Sequence, residues 1–181
     1  MSFTWKKGGL KVAKEDSQAG SAPQGDANLA GARFDIVNAS GKNALVGGRS
    51  YGDGEVVKTI EAEWDAAAKA YVAATGSGDL PCGAYKVVES QAPEGYLASD
   101  WSKTAKIREN GEVVDLTGGA CKDDVARGGV QVTKSDSELG KSEALGGDSH
   151  GAPGCGSTLA DIEFTITNES ASKVLVSGEW F

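Results

Sequence analysis

Hydrophobic and polar residues alternate along much of residues 9–127, as expected for strands with one buried face. The clearest run is residues 84–91, in which Tyr85, Val87 and Glu89 point to one side. The turn-forming sequence at 92–95 then ends the predicted strand.

Glu89 is the anomaly in this run because it shares a face with apolar side chains. If that face is the core, the carboxylate is buried and must be paired or protonated. In the alternative register Glu89 faces water, and the strand pattern alone leaves both registers open.

A second charged residue ends an apolar row near the start of the chain. Leu10, Val12 and Lys14 share one face of a predicted strand at 10–16. The alternative is a strand end from which the lysine extends to water. A loop is predicted at 17–28, where Gly, Ser, Ala and Pro are frequent.

The rest of the first 127 residues predicts further short strands and turns. Ala32, Phe34 and Ile36 point inward from a strand at 29–37. Residues 62–69 contain strong helix formers, which predict a short helix or a turn there, followed by a strand near 70–74. The other predicted strands are at 44–47, 55–60, 101–108 and 113–116, with a hairpin turn at 109–112.

The motif Tyr-x-Val-x-Glu-Ser-x-Ala-Pro-x-Gly-Tyr at residues 85–96 resembles the E-box of Cna B-type domains, also called SpaA-type or prealbumin-like. These domains are repeated β-sandwich modules of Gram-positive surface proteins. The segments 10–16, 29–34, 80–83 and 120–128 also resemble family positions. The resemblance implies an all-β, Ig-like sandwich of about seven strands, with a complete module at 1–127.

The resemblance also implies a chemistry. In the family, the Glu promotes a spontaneous amide bond between a Lys on the first strand and an Asn or Asp on the last. Here these are Glu89, Lys14 and Asp123, with Asp124 as the fallback because a slip of one residue turns every side chain over. The expected pocket residues are Phe34, Tyr85 and Trp101.

The bond would form once, without turnover, so the resemblance implies no enzyme. Burial lowers the pKa of a lysine, so we expect an apolar pocket to hold Lys14 as a neutral, nucleophilic amine. Glu89 would polarise the Asp123 carboxyl and relay protons. The alternatives are a buried salt-bridge cluster, or surface residues in a different register.

The second part of the chain repeats the first. Residues 130–136 repeat 10–16, residues 159–166 repeat 29–36, and residues 168–178 repeat 38–48. We therefore predict that 128–181 is the N-terminal part of a second, truncated module. Lys134 is its equivalent lysine, and the copy contains no counterpart of the Glu or the Asp.

Composition excludes several other classes of function. The net charge of −8, without basic clusters, argues against binding nucleic acid. No run of about 18 apolar residues is present to span a membrane. The N-terminus has no signal-peptide core, and the C-terminus has no sorting signal. We expect no cofactor.

Cysteine and histidine chemistry adds little. Cys82, Cys121 and Cys155 lack the spacing of a metal site. A bridge between Cys82 and Cys121 is possible, and free buried thiols are favoured. The single histidine, His150, lies in a glycine-rich segment without a triad context.

The function that the resemblance implies is a structural stalk or spacer module of a bacterial cell-surface adhesin or pilus-like protein. Its partners would be neighbouring modules of the same protein, and its location the bacterial cell surface. The alternative is a ligand-binding module that uses a sandwich face or the loops near 47–54 and 62–79. Such a module should display clustered exposed aromatics, for which Trp64 and Tyr71 are the candidates.

Overall fold

Two β-sheets enclose an apolar core in the computed structural model, which describes residues 5–135 and 162–181. Chain contacts divide the protein into two units. The first comprises Met1–Ala126 together with Asn168–Phe181, and the second Arg127–Thr167. The described residues of the second unit, 127–135 and 162–167, contain no strand.

The strands follow one another in the order β1 (Lys7–Asp16), β2 (Arg33–Asn38), β3 (Ala44–Val46), β4 (Arg49–Tyr51), β5 (Val56–Glu61), β6 (Glu63–Asp65), β7 (Ala70–Ala74), β8 (Leu80–Pro81), β9 (Gly83–Gln91), β10 (Tyr96–Leu97), β11 (Ser102–Ile107), β12 (Val113–Asp115), β13 (Cys121–Val125), β14 (Leu175–Val176) and β15 (Glu179–Trp180). A short 3₁₀ turn at Thr117–Gly119 precedes β13. The all-β prediction is confirmed.

The first strand is the centre of the larger sheet, whose order is β10-β13-β1-β7-β6. It pairs antiparallel with β7 on one side and parallel with β13 and β12 on the other. The facing sheet has the order β11-β9-β2-β5. The first and last strands of the module are therefore neighbours, although more than a hundred residues separate them.

Inward-facing side chains of both sheets form one core. Leu10 and Val12 of β1 pack with Phe34 and Ile36 of β2, and Val87 of β9 joins them. All five are fully buried, and β2 and β9 alternate as the sequence pattern predicts. Burial of such side chains contributes about 1.5–3 kcal/mol each.

Residues 62–69 do not form the helix that was one of the two predictions there. They form the first strand and the turn of a hairpin, in which β6 pairs antiparallel with β7. Trp64 lies opposite Tyr71, and their rings pack edge to face with centroids 5.2 Å apart. This cross-strand aromatic pair overrides the local helix propensity. The strand at 70–74 is confirmed.

The prediction for the repeat at 130–136 is only partly covered by the described residues. Residues 130–135 are exposed and lie outside any strand, and Asp136 lies outside the described residues. The repeat at 159–166 is described from Ile162 onward, and those residues form no strand. The division into a complete and a truncated module remains a prediction.

Candidate functional site: a buried lysine between two carboxylates

Three charged side chains from distant parts of the chain meet inside the sandwich. Lys14 lies on β1 and Asp123 on the adjacent strand β13, with Lys14 opposite Cys121 and Asp16 opposite Asp123 in the parallel register. Glu89 lies on β9 of the facing sheet. The alternation of each strand directs these charged side chains towards the interior.

The lysine amine contacts both carboxylates. Nζ of Lys14 lies 2.6 Å from Oδ2 of Asp123 and 2.8 Å from Oε1 of Glu89. All three side chains are 0% exposed. Neither oxygen has another hydrogen-bond partner among the described residues, so the amine is the group that compensates both buried acids.

Two further side chains complete the cluster. Ser99 donates from its main-chain nitrogen to Oε2 of Glu89 at 3.2 Å, and its hydroxyl lies 3.4 Å from the same oxygen. Sγ of Cys121 lies 3.3 Å from Nζ of Lys14. Ser99 was not predicted from the sequence, because a serine in a loop after the motif carries no distinguishing pattern.

The electrostatics differ from the sequence-based expectation of a neutral amine. Burial is the largest influence on Lys14 and lowers its pKa, but the contacts with Asp123 and Glu89 raise it, and the net pKa is raised. Two acids around one base favour the ammonium form. At rest the cluster therefore contains a buried ammonium in contact with two carboxyl groups.

Of the two candidate acids, the structure brings Asp123 to the lysine. Asp123 is buried, whereas Asp124 faces outward and accepts a hydrogen bond from the hydroxyl of Ser17. Because neighbouring strand residues point to opposite faces, only one of the two can reach Lys14.

The predicted pocket aromatics separate into two groups. Phe34 lies opposite Glu89 in the pairing of β2 with β9, and its ring packs edge to face with Trp101 at 5.6 Å. Tyr85 does not belong to this group. It lies four residues before Glu89, about 13 Å along the strand, and its hydroxyl donates to the carbonyl of Pro81 at 2.7 Å.

One carboxylate oxygen each from Glu89 and Asp123, together with Sγ of Cys121, lie within 4.8 Å of one another, a spacing that could hold a metal ion. The ammonium of Lys14 already occupies the space among them, at 2.6 to 3.3 Å from all three residues. A cation added there would face this positive charge, so the cluster is a poor metal site as it stands.

The remaining sequence candidates lie apart from the cluster. Lys134 is exposed in a segment without regular structure. Cys82 and Cys121 are free thiols, and burial raises the pKa of Cys121 to about 11. Cys155 and His150 lie outside the described residues. Among the described residues, no helix is long and apolar enough to cross a membrane.

Comparison with known proteins gives a family match and structural similarity. A family model described as "SpaA: Prealbumin-like fold domain" matches residues 8–120. No curated protein sequence matches the chain.

Three solved structures illustrate the similarity. The Bacillus anthracis TIE protein is 26% identical, with a TM-score of 0.46, over 66% of this chain and 17% of that one. The pilus 2b backbone protein of group B streptococcus is 21% identical, with a TM-score of 0.43, over 65% and 42%. BcpA, the major pilin subunit of Bacillus cereus, is 22% identical, with a TM-score of 0.42, over 67% and 31%. The chain thus spans less than half the length of each.

Proposed function

Because the chain belongs to the SpaA family of prealbumin-like domains, we propose that it is a structural module of a bacterial cell-surface protein, whose first and last strands become joined by an isopeptide bond between Lys14 and Asp123. Glu89 promotes the reaction. The bond forms once in each molecule, without turnover.

One observation carries this proposal. The amine of Lys14 lies 2.6 Å from a carboxyl oxygen of Asp123, and thus one bond from the carbon that it would attack, inside a pocket that excludes water from all three side chains. A fold that holds reactants at such a distance converts a bimolecular condensation into an intramolecular one, and well-oriented cases gain about 7–11 kcal/mol.

The reaction balances when the cluster holds one carboxylic acid and one carboxylate beside the ammonium. Lys14 first gives a proton to Glu89, and the neutral amine attacks Cγ of protonated Asp123. Glu89 then protonates the departing hydroxyl and accepts the remaining excess proton from nitrogen. An amide N–C bond has formed, a C–O bond has broken, one water leaves, and Glu89 ends protonated.

Because the pKa of Lys14 is raised, the reaction needs a group that removes a proton from its ammonium, and we assign this role to Glu89. An ammonium has no lone pair, so the reaction requires a base in contact with it, and Glu89 Oε1 at 2.8 Å is placed to accept the proton. Ser99 donates to the other oxygen of Glu89, which fixes the orientation of the carboxyl group.

The product changes the mechanics of the module. The bond would close a loop from Lys14 to Asp123, and by the chain-entropy reasoning used for disulfides a loop of this length contributes about 4–5 kcal/mol. It also removes two charges whose burial is costly. Force applied between the terminal strands would load a covalent bond instead of the hydrogen bonds between β1 and β13.

Intact-protein mass spectrometry tests the proposal. We expect the wild-type chain to be lighter than its sequence by one water, and Glu89→Ala and the closer isostere Glu89→Gln to have the full mass. Glu94→Ala removes an exposed carboxylate from the same motif and should keep the deficit. Peptide mapping should recover Lys14 and Asp123 in one cross-linked peptide. A wild-type chain of full mass, or an unchanged deficit in both Glu89 variants, would refute this chemistry.

The family resemblance also supports the proposed setting, a stalk or spacer that packs against neighbouring modules of the same protein at the cell surface. The ligand-binding alternative receives no comparable support from the aromatic pair at Trp64 and Tyr71. Tyr71 packs against the core, and the two rings contact each other across a hairpin.

A further inference from the structure

Residues 168–181 form a structural copy of residues 38–51. Each segment is an antiparallel hairpin, β3 with β4 in the first and β14 with β15 in the second, and the register is the same. Leu175 therefore occupies in β14 the position that Leu45 occupies in β3.

An asparagine at the equivalent position closes each hairpin. Nδ2 of Asn38 donates to the carbonyl of Tyr51 at 3.2 Å, and Nδ2 of Asn168 donates to the carbonyl of Phe181 at 3.1 Å. The two hairpins thus share both their sequence and their hydrogen bonds. A contact made by the second hairpin therefore indicates which groups of the first hairpin could make the equivalent contact.

The second hairpin contacts the loop at 17–28 through main-chain groups of β14 and of the residues just before it. The main-chain nitrogen of Gly25 donates to the carbonyl of Lys173 at 3.1 Å. The main-chain nitrogen of Leu175 donates to Oε1 of Gln24 at 3.2 Å. These contacts use main-chain groups that point away from the partner strand β15.

Gly25 makes this close approach possible. It has a φ of +59°, and a Cβ there would lie 3.1 Å from Cγ1 of Val174. A third contact is polar, from the main-chain nitrogen of Ala171 to Oδ1 of Asp26 at 3.2 Å. The loop therefore presents an amide donor, a carboxamide and a carboxylate to the edge of a hairpin.

The corresponding edge of the first copy is open. Among the strands that the structure describes, β3 pairs only with β4. Leu45 lies in a non-hydrogen-bonded position of that pair, so its main-chain groups point outward. Its side chain is 54% exposed. An unpaired edge of this kind is a template for added backbone.

This open edge forms one wall of a groove of about 650 Å³. Other walls come from the N-terminal strand and from the segment before β9, and the lining residues used here are Trp5, Lys7, Asn43, Leu45 and Cys82. Trp5 is 74% exposed, so the groove presents apolar surface to solvent beside a strand edge.

We propose that this groove is a docking site for a second copy of the same module, which inserts the loop equivalent to Gln24–Asp26. The carbonyl of Asn43 accepts from the loop glycine as Lys173 does, and the nitrogen of Leu45 donates to the loop glutamine as Leu175 does. The proposal rests on the tandem arrangement proposed above and is independent of the isopeptide bond.

The contact between Ala171 and Asp26 has no equivalent at the first hairpin, and a charged contact replaces it in the proposed complex. The nitrogen of Gly41, the counterpart of Ala171, already donates to Oδ1 of Asp53 at 2.8 Å. Lys7 lines the groove, and in the proposed complex it is the basic partner of the loop carboxylate equivalent to Asp26. An acidic loop therefore enters a groove with a basic rim, which favours this pairing over a loop without the carboxylate.

The test is an NMR titration of isotope-labelled wild-type chain with unlabelled chain that carries Leu175→Pro. The proline removes the donor to Gln24 and frees the loop of the unlabelled chain. We expect shifts at Leu45 and at the Trp5 indole, with a dissociation constant on the order of millimolar, which suffices for modules that are linked in one chain.

Matched variants of the unlabelled chain decide the outcome. Adding Gly25→Leu should abolish the shifts. Adding Gly20→Leu should not abolish them. Gly20 lies in the same loop and also has a positive φ, of +68°, but nothing lies within 4 Å of its Cβ position. Shifts that are absent, that survive Gly25→Leu, or that lie away from the groove would overturn the proposal.

A tandem chain covers the case in which Leu175→Pro leaves the loop occupied, as judged by an unchanged Gly25 amide signal. In it, residues 10–181 follow Gly129 of a first copy, so the 38–51 hairpin of the second copy can reach the first loop. By the repeat, Arg127 then stands at the position of Lys7 and keeps a basic residue at the groove, and Val125 stands at the position of Trp5. Gly25→Leu in the first copy should lower the melting temperature more than Gly20→Leu does. Equal effects would refute the docking. A wild-type mass without the water deficit would bear on the isopeptide bond alone.

Discussion

The hydroxyl of Tyr96 donates a 2.9 Å hydrogen bond to Oδ2 of Asp16, which lies two positions after Lys14. Asp16 is fully buried, and it also accepts from the side chain of Gln24 and from the main-chain nitrogens of Gln18 and Ala19. The last residue of the motif at 85–96 is thereby tied to the end of β1. The hydrogen bonds of Asp16 thereby hold the loop at 17–28 to the end of β1 and to Tyr96.

Tyr96→Phe should destabilise the module. The substitution removes one hydrogen bond to a buried carboxylate, an interaction that contributes about 1.5–3 kcal/mol. We expect a loss of that size in the free energy of unfolding, measured by urea denaturation. Tyr51→Phe is the control, because among the described contacts its hydroxyl makes no hydrogen bond, and it should change stability by less than about 0.5 kcal/mol. Equal losses in both variants would contradict the assignment.

Alkaline pH should destabilise the fold through two tyrosines. Burial raises the pKa of Tyr85 to about 12, and burial together with the hydrogen bond to Asp16 raises the pKa of Tyr96. An unfolded tyrosine titrates near 10. The folded state therefore retains protons that the unfolded state has lost, and stability falls as pH rises above about 10. Urea unfolding at a series of pH values checks this, and Tyr96→Phe should show a shallower fall; a flat profile for the wild type would contradict it.

The geometry of the Lys14, Glu89 and Asp123 cluster was accessible to sequence reasoning because strand alternation fixes the direction of each side chain. Once β1, β9 and β13 are recognised, Lys14, Glu89 and Asp123 must point inward if their apolar neighbours do. Pattern alone could not choose between the inward and outward registers, and the family motif supplied that choice. The roles of the three residues in bond formation remain predictions.

What sequence reasoning missed depends on contacts between distant segments. Ser99 reaches Glu89 because of the path of a loop, which no periodicity encodes. Tyr85 was expected in the reactive pocket because it shares a strand face with Glu89, but a shared face spans the whole length of a sandwich. The helix alternative at 62–69 failed because the pairing of Trp64 with Tyr71 is a cross-strand contact that a single-segment propensity does not include.

Asp123→Ala and Asp124→Ala separate the two acids in the last strand. Asp123→Ala removes the carbon that the lysine would attack in the proposed reaction, so the variant should have the full mass and lose about 4–5 kcal/mol of stability from the opened loop. Asp124→Ala alters an outward-facing residue and should keep the water deficit. Mass spectrometry and guanidinium unfolding report the two effects. A deficit that persists in Asp123→Ala would assign the bond to another acid.

The two described cysteines should differ in reactivity. Cys121 is fully buried, and burial raises its pKa to about 11, so little thiolate is present at neutral pH. Cys82 is partly exposed beside the groove. We expect iodoacetamide to label Cys82 well before Cys121 in the native chain, and both at similar rates in denaturant, as read by peptide mapping. Rapid native labelling of Cys121 would show that the cluster opens to solvent.

The two hairpin asparagines offer a comparison within one molecule. Asn38 is 1% exposed, and its Nδ2 lies within hydrogen-bond distance of the carbonyls of Lys42, Tyr51 and Gly52. Asn168 has the corresponding contacts to Ser172 and Phe181 but is exposed. An asparagine thus makes two equivalent contacts in both hairpins, buried in the first and exposed to water in the second.

Asn38→Ala should therefore cost more than Asn168→Ala. In the buried copy the alanine leaves carbonyl groups without their donor, at about 1–3 kcal/mol, whereas water can replace the donor in the exposed copy. Urea unfolding followed by tryptophan fluorescence measures the global loss, and amide exchange of Leu175 reports the second hairpin separately. An equal global loss for both variants would show that the hairpin of residues 168–181 is as deeply integrated in the fold as that of residues 38–51.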